Sequence, residues 1–79
     1  MSISRVKLKA RVSDVRVTPQ VLRVILADGR EILAPLEWFP RLHKATRSQR
    51  NKWQLIGGGI GIHWKEIDED ISVEGLLAK

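Results

Sequence analysis

The densest set of groups that could do chemistry in this 79-residue chain is the acidic run Glu66, Asp68, Glu69 and Asp70. Clustered carboxylates hold Ca²⁺ or Mg²⁺ when their spacing supplies a full oxygen shell. Here the spacing lacks the twelve-residue loop and the terminal bidentate Glu of a calcium hand, so no metal is expected. Paired carboxylates also do acid–base work, but no nucleophile or second group accompanies them. Gly57, Gly58, Gly59 and Gly61 raise the question of a phosphate loop. No Gly-Lys-Ser/Thr follows and no helix pattern starts at the last glycine, so a tight turn beside closely packed backbone is expected there. His43 and His63 are the only histidines, and there is no cysteine. Thiolate zinc sites, disulfides and cysteine nucleophiles are excluded together, and two histidines make a poor zinc site. The chain is therefore expected to bind and not to catalyse, without cofactor or metal.

Two charged surfaces remain. Residues 1–65 hold 13 Lys and Arg against four acids, whereas residues 66–79 hold five acids against Lys79 alone. On the basic side, Arg5, Lys7, Lys9 and Arg11 alternate with Val6, Leu8, Ala10 and Val12. On a strand the cationic heads would repeat every ~6.6 Å along one face, a spacing that could track phosphates. Lysines and arginines on a half-solvated or edge strand also serve simply to prevent edge-to-edge pairing, which is the default reading. Arg41, Lys44, Arg47, Arg50 and Lys52 extend the basic content, with Thr46 breaking the segment into two helices. No aromatic residue interleaves with these cations, so the stacking platforms of single-strand binders are missing. Nucleic-acid contact through Arg5, Lys7, Lys9, Arg11, Arg47 and Arg50 is thus the secondary expectation. On the acidic side, Glu66, Asp68, Glu69, Asp70 and Glu74 either solvate and cap the last helix or form a patch that docks on a basic partner. A basic body with an acidic tail could also draw one copy to another.

The elements that must position these groups follow from periodicity. Arg5 to Val12 alternates strictly, then the apolar phase slips by one at Val15 and Val17, placing a bulge near Ser13-Asp14. Thr18-Pro19-Gln20 is a turn, Val21 to Leu26 a strand, Asp28-Gly29 a hairpin signal and Glu31 to Ala34 the return strand. Pro35 stops it, and Leu36, Trp38, Phe39 and Leu42 make a short amphipathic turn cut by Pro40. Thr46 and Gln49 form a capping box opening a helix from about Arg47 to Trp53. Extended segments follow at Trp53 to Ile56 and Ile62 to Trp64, and Asp68-Glu69-Asp70 reads as a polar break. Ser72 caps a last helix, with Glu74 in its first turn where the dipole favours an acid. The expected fold is α+β: a small antiparallel sheet, made of a three-stranded meander plus one or two later strands, with short helices on one face.

Length allows one domain over residues 1–79 with a thin core, for which self-association is a usual remedy. The first residues carry no apolar run after their charges, and no stretch is apolar enough to span a membrane, so a cytoplasmic protein is expected. Trp38, Phe39, Trp53 and Trp64 are the whole aromatic content. Most should anchor the core, Trp64 beside His63 being read as core and hydrogen-bond partner; a tryptophan left exposed would serve as an interface hot spot, and Trp64 also stands as a partner-binding candidate with the acidic run.

The segments Pro35 to Leu42, Trp53 to Gly59 and above all Ile62 to Leu77, with its Trp64, acidic run and Ser72-x-Glu74-x-Leu76-Leu77 ending, are distinctive together. They resemble the bacterial family catalogued as domain of unknown function 2442, over roughly residues 12–79. The resemblance implies a small α+β fold and no assigned activity. It also implies a genomic neighbour, a small protein of toxin-like character, and hence an antitoxin-like, partner-binding role. Some relatives continue into a helix-turn-helix unit; with none before Lys79, any DNA contact is expected to rest on this domain.

Overall fold

The computed structural model describes residues 10–78, so the expected strand over Arg5 to Lys9 lies outside the described residues. β1 (Val12–Val17), β2 (Val21–Leu26) and β3 (Glu31–Pro35) form an antiparallel sheet in the order β1-β2-β3. The anticipated bulge is present. The register runs Val12↔Leu26 and then Asp14↔Ile25, and the hydroxyl of the skipped Ser13 donates to the Ile25 carbonyl at 3.1 Å. The extra residue turns a three-residue spacing into a shared face, so Val12 and Val15 are both buried beneath the sheet. Gly29, at φ +93°, makes the β2–β3 turn, and the Asp28 carboxylate accepts the Arg30 amide at 3.1 Å. Pro35 is the last residue of β3 and not a stop before it, opposite Val21. A proline is tolerated there because β3 is an edge.

A 3-10 turn (Leu36–Trp38) leads into α1 (Pro40–His43) and α2 (Arg47–Arg50). Pro40 begins α1 where a cut was expected; its missing N–H costs nothing at the first helical position. The capping box forms: Thr46 Oγ1 accepts the Gln49 amide at 3.1 Å and Gln49 Oε1 accepts the Thr46 amide at 2.9 Å. α2 ends at Arg50, three residues short of the expected Trp53, because Trp53 is taken into a strand. Thr46→Ala should cost about 1 kcal/mol. Thermal unfolding should show a midpoint lower by roughly 4–8 °C; an unchanged midpoint would mean that the cap contributes nothing.

The largest departure comes next. β4 (Trp53–Ile56), β5 (Gly61–Trp64) and β6 (Glu69–Ser72) make a second three-stranded antiparallel sheet, separate from the first. The expected polar break is confined to Asp68, which turns at φ +52° after a 3-10 turn (Lys65–Ile67); Glu69 and Asp70 are strand residues. Ile71, paired with Ile62, is the buried anchor of β6. α3 (Val73–Leu77) follows, with Ser72 as its N-cap.

The two sheets share one core, in which Leu22, Val24, Leu26, Leu36, Leu42, Ile62 and Trp64 are essentially inaccessible. Their seam is backbone to backbone, with the Val12 amide donating to the Gly59 carbonyl at 2.8 Å. At α3, the Val73 amide donates to the Ile60 carbonyl at 3.0 Å. The glycine run thus serves as the close-packed turn that its composition implies.

Candidate partner-binding surface

The turn over residues 57–60 projects an apolar side chain outward. Gly57 and Gly58 both hold positive φ, and Ile60 folds back so closely that a Cβ on Gly57 would lie 2.7 Å from Ile60 Cδ1. Ile60 is therefore held over the turn, 55% exposed. Opposite it, Ser72 ends β6 and caps α3 by accepting the Gly75 amide at 2.9 Å, which sets Glu74 in the first turn and Leu77 at the end. Between them runs a groove of about 460 Å³, lined by Ala10, Ile60, Ser72, Val73, Glu74 and Leu77. Leu77 is half exposed, and Ile56 is 41% exposed.

Strand register links this groove to the acidic strand. On the outer face of the second sheet, Ile56, Gly61 and Ser72 lie in one row; Gln54, His63 and Asp70 form the next row. The carboxylate Oδ1 of Asp70 shares a hydrogen bond with His63 Nδ1. The exposed Ile56, Ile60 and Leu77 are thus accompanied by Glu74 at the groove and Asp70 one row away. An exposed apolar patch with a charged border is a usual mark of a binding surface.

The remaining acids go elsewhere. Glu66 pairs with Lys52 at 2.8 Å. The backbone carbonyl of Asp68 accepts from Arg41 at 2.6 Å, while its carboxylate lies 4.0 Å from the same guanidinium. Glu69 is half-buried in the inner-face row with Trp53 and Trp64. The acidic segment is consequently distributed over several faces, with Glu66 and Asp68 met by Lys52 and Arg41.

Trp64 is the core and hydrogen-bond residue its sequence context suggests, and as a partner-binding candidate it is corrected. It is wholly buried, and its Nε1–H donates to the Arg50 carbonyl at 3.0 Å, so it is a core anchor and offers no surface to a partner. The tryptophan with the larger exposure is Trp38, at 48%. Among the basic candidates, Arg5, Lys7 and Lys9 lie outside the described residues. Arg11 is exposed and reaches the Gly57 carbonyl at 3.4 Å; Arg47 is exposed at the start of α2. Arg50 turns inward and donates to the carbonyls of Leu42 and His43 at 3.1 and 2.7 Å. It closes the α1–α2 corner, so its guanidinium is engaged within the fold.

The carboxyls with displaced protonation belong to the first sheet. The hydrogen bond from Arg16, helped by the Val15 amide, holds Asp14 below its ordinary value of 3.8. The hydrogen bond from Arg23 holds Glu31 below 4.5. Their stabilisation is present above the unfolded-state values and is lost as pH falls through the lowered folded-state values. Both pairs are exposed, so salt screens them. Neither approaches the groove. Among the described residues no three His, Asp or Glu side chains cluster as a metal site would require, and no helix is long and apolar enough to cross a membrane.

Sequence reasoning missed Ile56, Ile60 and Leu77. The available signal was an isoleucine on each side of the glycine run, where a solvated turn needs none.

A sequence profile described as "Protein of unknown function (DUF2442)" matches residues 12–79. No curated protein matches the chain. Two solved structures are similar. One is the crystal structure of a protein of unknown function from Rhodospirillum rubrum, at 28% identity and TM-score 0.73, covering 86% of this chain and 84% of that one. The other is the solution NMR structure of an uncharacterized protein from Chromobacterium violaceum, at 26% identity and TM-score 0.73, covering 86% of this chain and 64% of that one.

Proposed function

We propose that this chain, which belongs to the DUF2442 family, is a protein-binding module, antitoxin-like, that works by occupying a small partner and not by catalysis. The observation that carries this reading is the groove of Ile60, Val73 and Leu77 with Glu74 at its wall and Asp70 nearby. Apolar area supplies affinity, and the two carboxylates select a segment that alternates or interleaves Lys or Arg with apolar residues. A toxin-like protein with a basic working surface fits this chemistry. The nucleic-acid reading has less behind it, because Arg50, Lys52 and Arg41 are engaged within the fold. It predicts an affinity that falls steeply with added salt.

The test is capture from nuclease-treated host lysate by the tagged protein, then kinetics with the purified partner. Leu77→Asp should abolish capture. The double change Asp70→Lys with Glu74→Lys should slow association by about tenfold, with a smaller effect on dissociation. Capture that survives both variants removes the groove; retention of nucleic acid in untreated lysate, lost at high salt, would favour the alternative.

A further inference from the structure

Among the described residues four strands lie at sheet edges, and three of them carry features that discourage pairing with another strand. β1 has its bulge with Asp14 and Arg16, β3 has Glu31 and Pro35, and β6 has Glu69 and Asp70. β4 has none of these. Trp53-Gln54-Leu55-Ile56 contains no charge, proline or register shift and, among the described residues, pairs only with β5. Native proteins rarely leave such an edge unguarded.

We propose that β4 is a self-association edge: two copies join their β4 strands antiparallel about a twofold axis through Gln54, fusing their second sheets into one of six strands. The register follows from the side chains. A twofold axis perpendicular to the sheet keeps inner faces together, so residues that pair must share a face. Centring on Gln54 sets Trp53 of each copy opposite Leu55 of the other, both inner-face residues. Leu55 is 41% exposed although its neighbour on β5, Ile62, is wholly buried, so the core stops short beneath β4. The second copy's Trp53 would cover it. In the same register the second copy's Leu55 arrives beside Trp53, where a cavity of about 290 Å³ opens between Lys52, Trp53, Gln54, Lys65 and Glu66.

The occupant follows from this self-matching register, in which each Trp53 covers the other copy's exposed Leu55, and charge at the edge does not oppose it. Two chains of formal charge +5 repel, and a twofold axis brings like residues nearest one another. β4 has no charged residue to oppose itself. The nearest cations, Lys52 and its equivalent, are four strand positions apart, roughly 13 Å. That exceeds the screening length of about 8 Å in physiological salt. A four-residue seam is small, so the dimer should be a weak one, dissociating at about micromolar concentrations. The association is independent of the groove's role.

The chain has no cysteine, which permits a clean test. Directly opposed residues of antiparallel strands have Cα atoms about 4.5–5.5 Å apart, within disulfide reach. Gln54→Cys should therefore form an intermolecular disulfide quickly under mild oxidation, whereas Ser48→Cys, exposed on α2, should not. Sedimentation of the unmodified protein over a concentration series should show a reversible monomer–dimer equilibrium. Leu55→Lys should weaken it about tenfold or more, by placing like charges two positions apart across the axis. Cross-linking decides the matter should Leu55→Lys fail to fold. A protein that stays monomeric to about millimolar concentration, or equal cross-linking at residues 48 and 54, overturns the proposal and leaves β4 to a strand of another protein.

Discussion

Trp64→Ala is expected to remove about 3–5 kcal/mol of stability, the usual cost of truncating a buried tryptophan to alanine. A chain of 79 residues has on the order of 4–12 kcal/mol to lose. The thermal midpoint should therefore fall by roughly 12 °C or more. The reason lies in what Trp64 joins. On β5 it pairs with Trp53 and Glu69, its ring is inaccessible to solvent, and its indole N–H reaches the Arg50 carbonyl at the end of α2. One side chain thus ties the second sheet to the helical connection and fills the core between them. Trp64→Phe separates the two contributions. It keeps most of the apolar area and orphans the Arg50 carbonyl, for an added cost of about 1 kcal/mol beyond the lost volume. Urea unfolding followed by far-UV circular dichroism measures both. An alanine variant within about 1 kcal/mol of the parent would place the core elsewhere.

Gly59→Ala should be nearly as damaging, through the backbone. Gly59 is buried at φ +109°, and a Cβ there would come within 3.0 Å of both the amide nitrogen and carbonyl oxygen of Val12. Val12 cannot retreat without loss, since its amide donates to Gly59. The strained dihedral costs about 1–3 kcal/mol and the overlap a comparable amount. Gly29 is the control, because it also has a positive φ, of +93°, but nothing lies within 4 Å of its Cβ position. Gly29→Ala bears only the dihedral term. The two alanine variants should differ in unfolding free energy by about 1–3 kcal/mol, with Gly59→Ala the less stable. Equal losses would show that the seam between the sheets tolerates a methyl group.

These expectations rest on features of different visibility in the sequence. The bulge at Ser13, the Asp28-Gly29 turn, the capping box of Thr46 and Gln49 and the cap at Ser72 were all legible, because each is governed by residues within about four positions of one another. So was the family, whose marks are concentrated in the segment from Ile62 to Leu77. The third strand of the second sheet was not. Glu69-Asp70-Ile71-Ser72 has one apolar residue, and its extended state is held by pairing with β5, not by its own composition.

The same division runs through the surface. Residue order by itself determined that the chain is α+β, that it lacks the cysteines a thiolate site needs, and that its cations and acids are segregated along the chain. Only the tertiary structure decided what those charges do. It folded Glu66 onto Lys52 and Arg41 onto Asp68, turned Arg50 into the α1–α2 corner, buried Trp64 and left Ile56, Ile60 and Leu77 outside. Local pattern cannot carry that information. Exposure and pairing depend on which distant segments arrive alongside, and that is fixed by packing of the shared core.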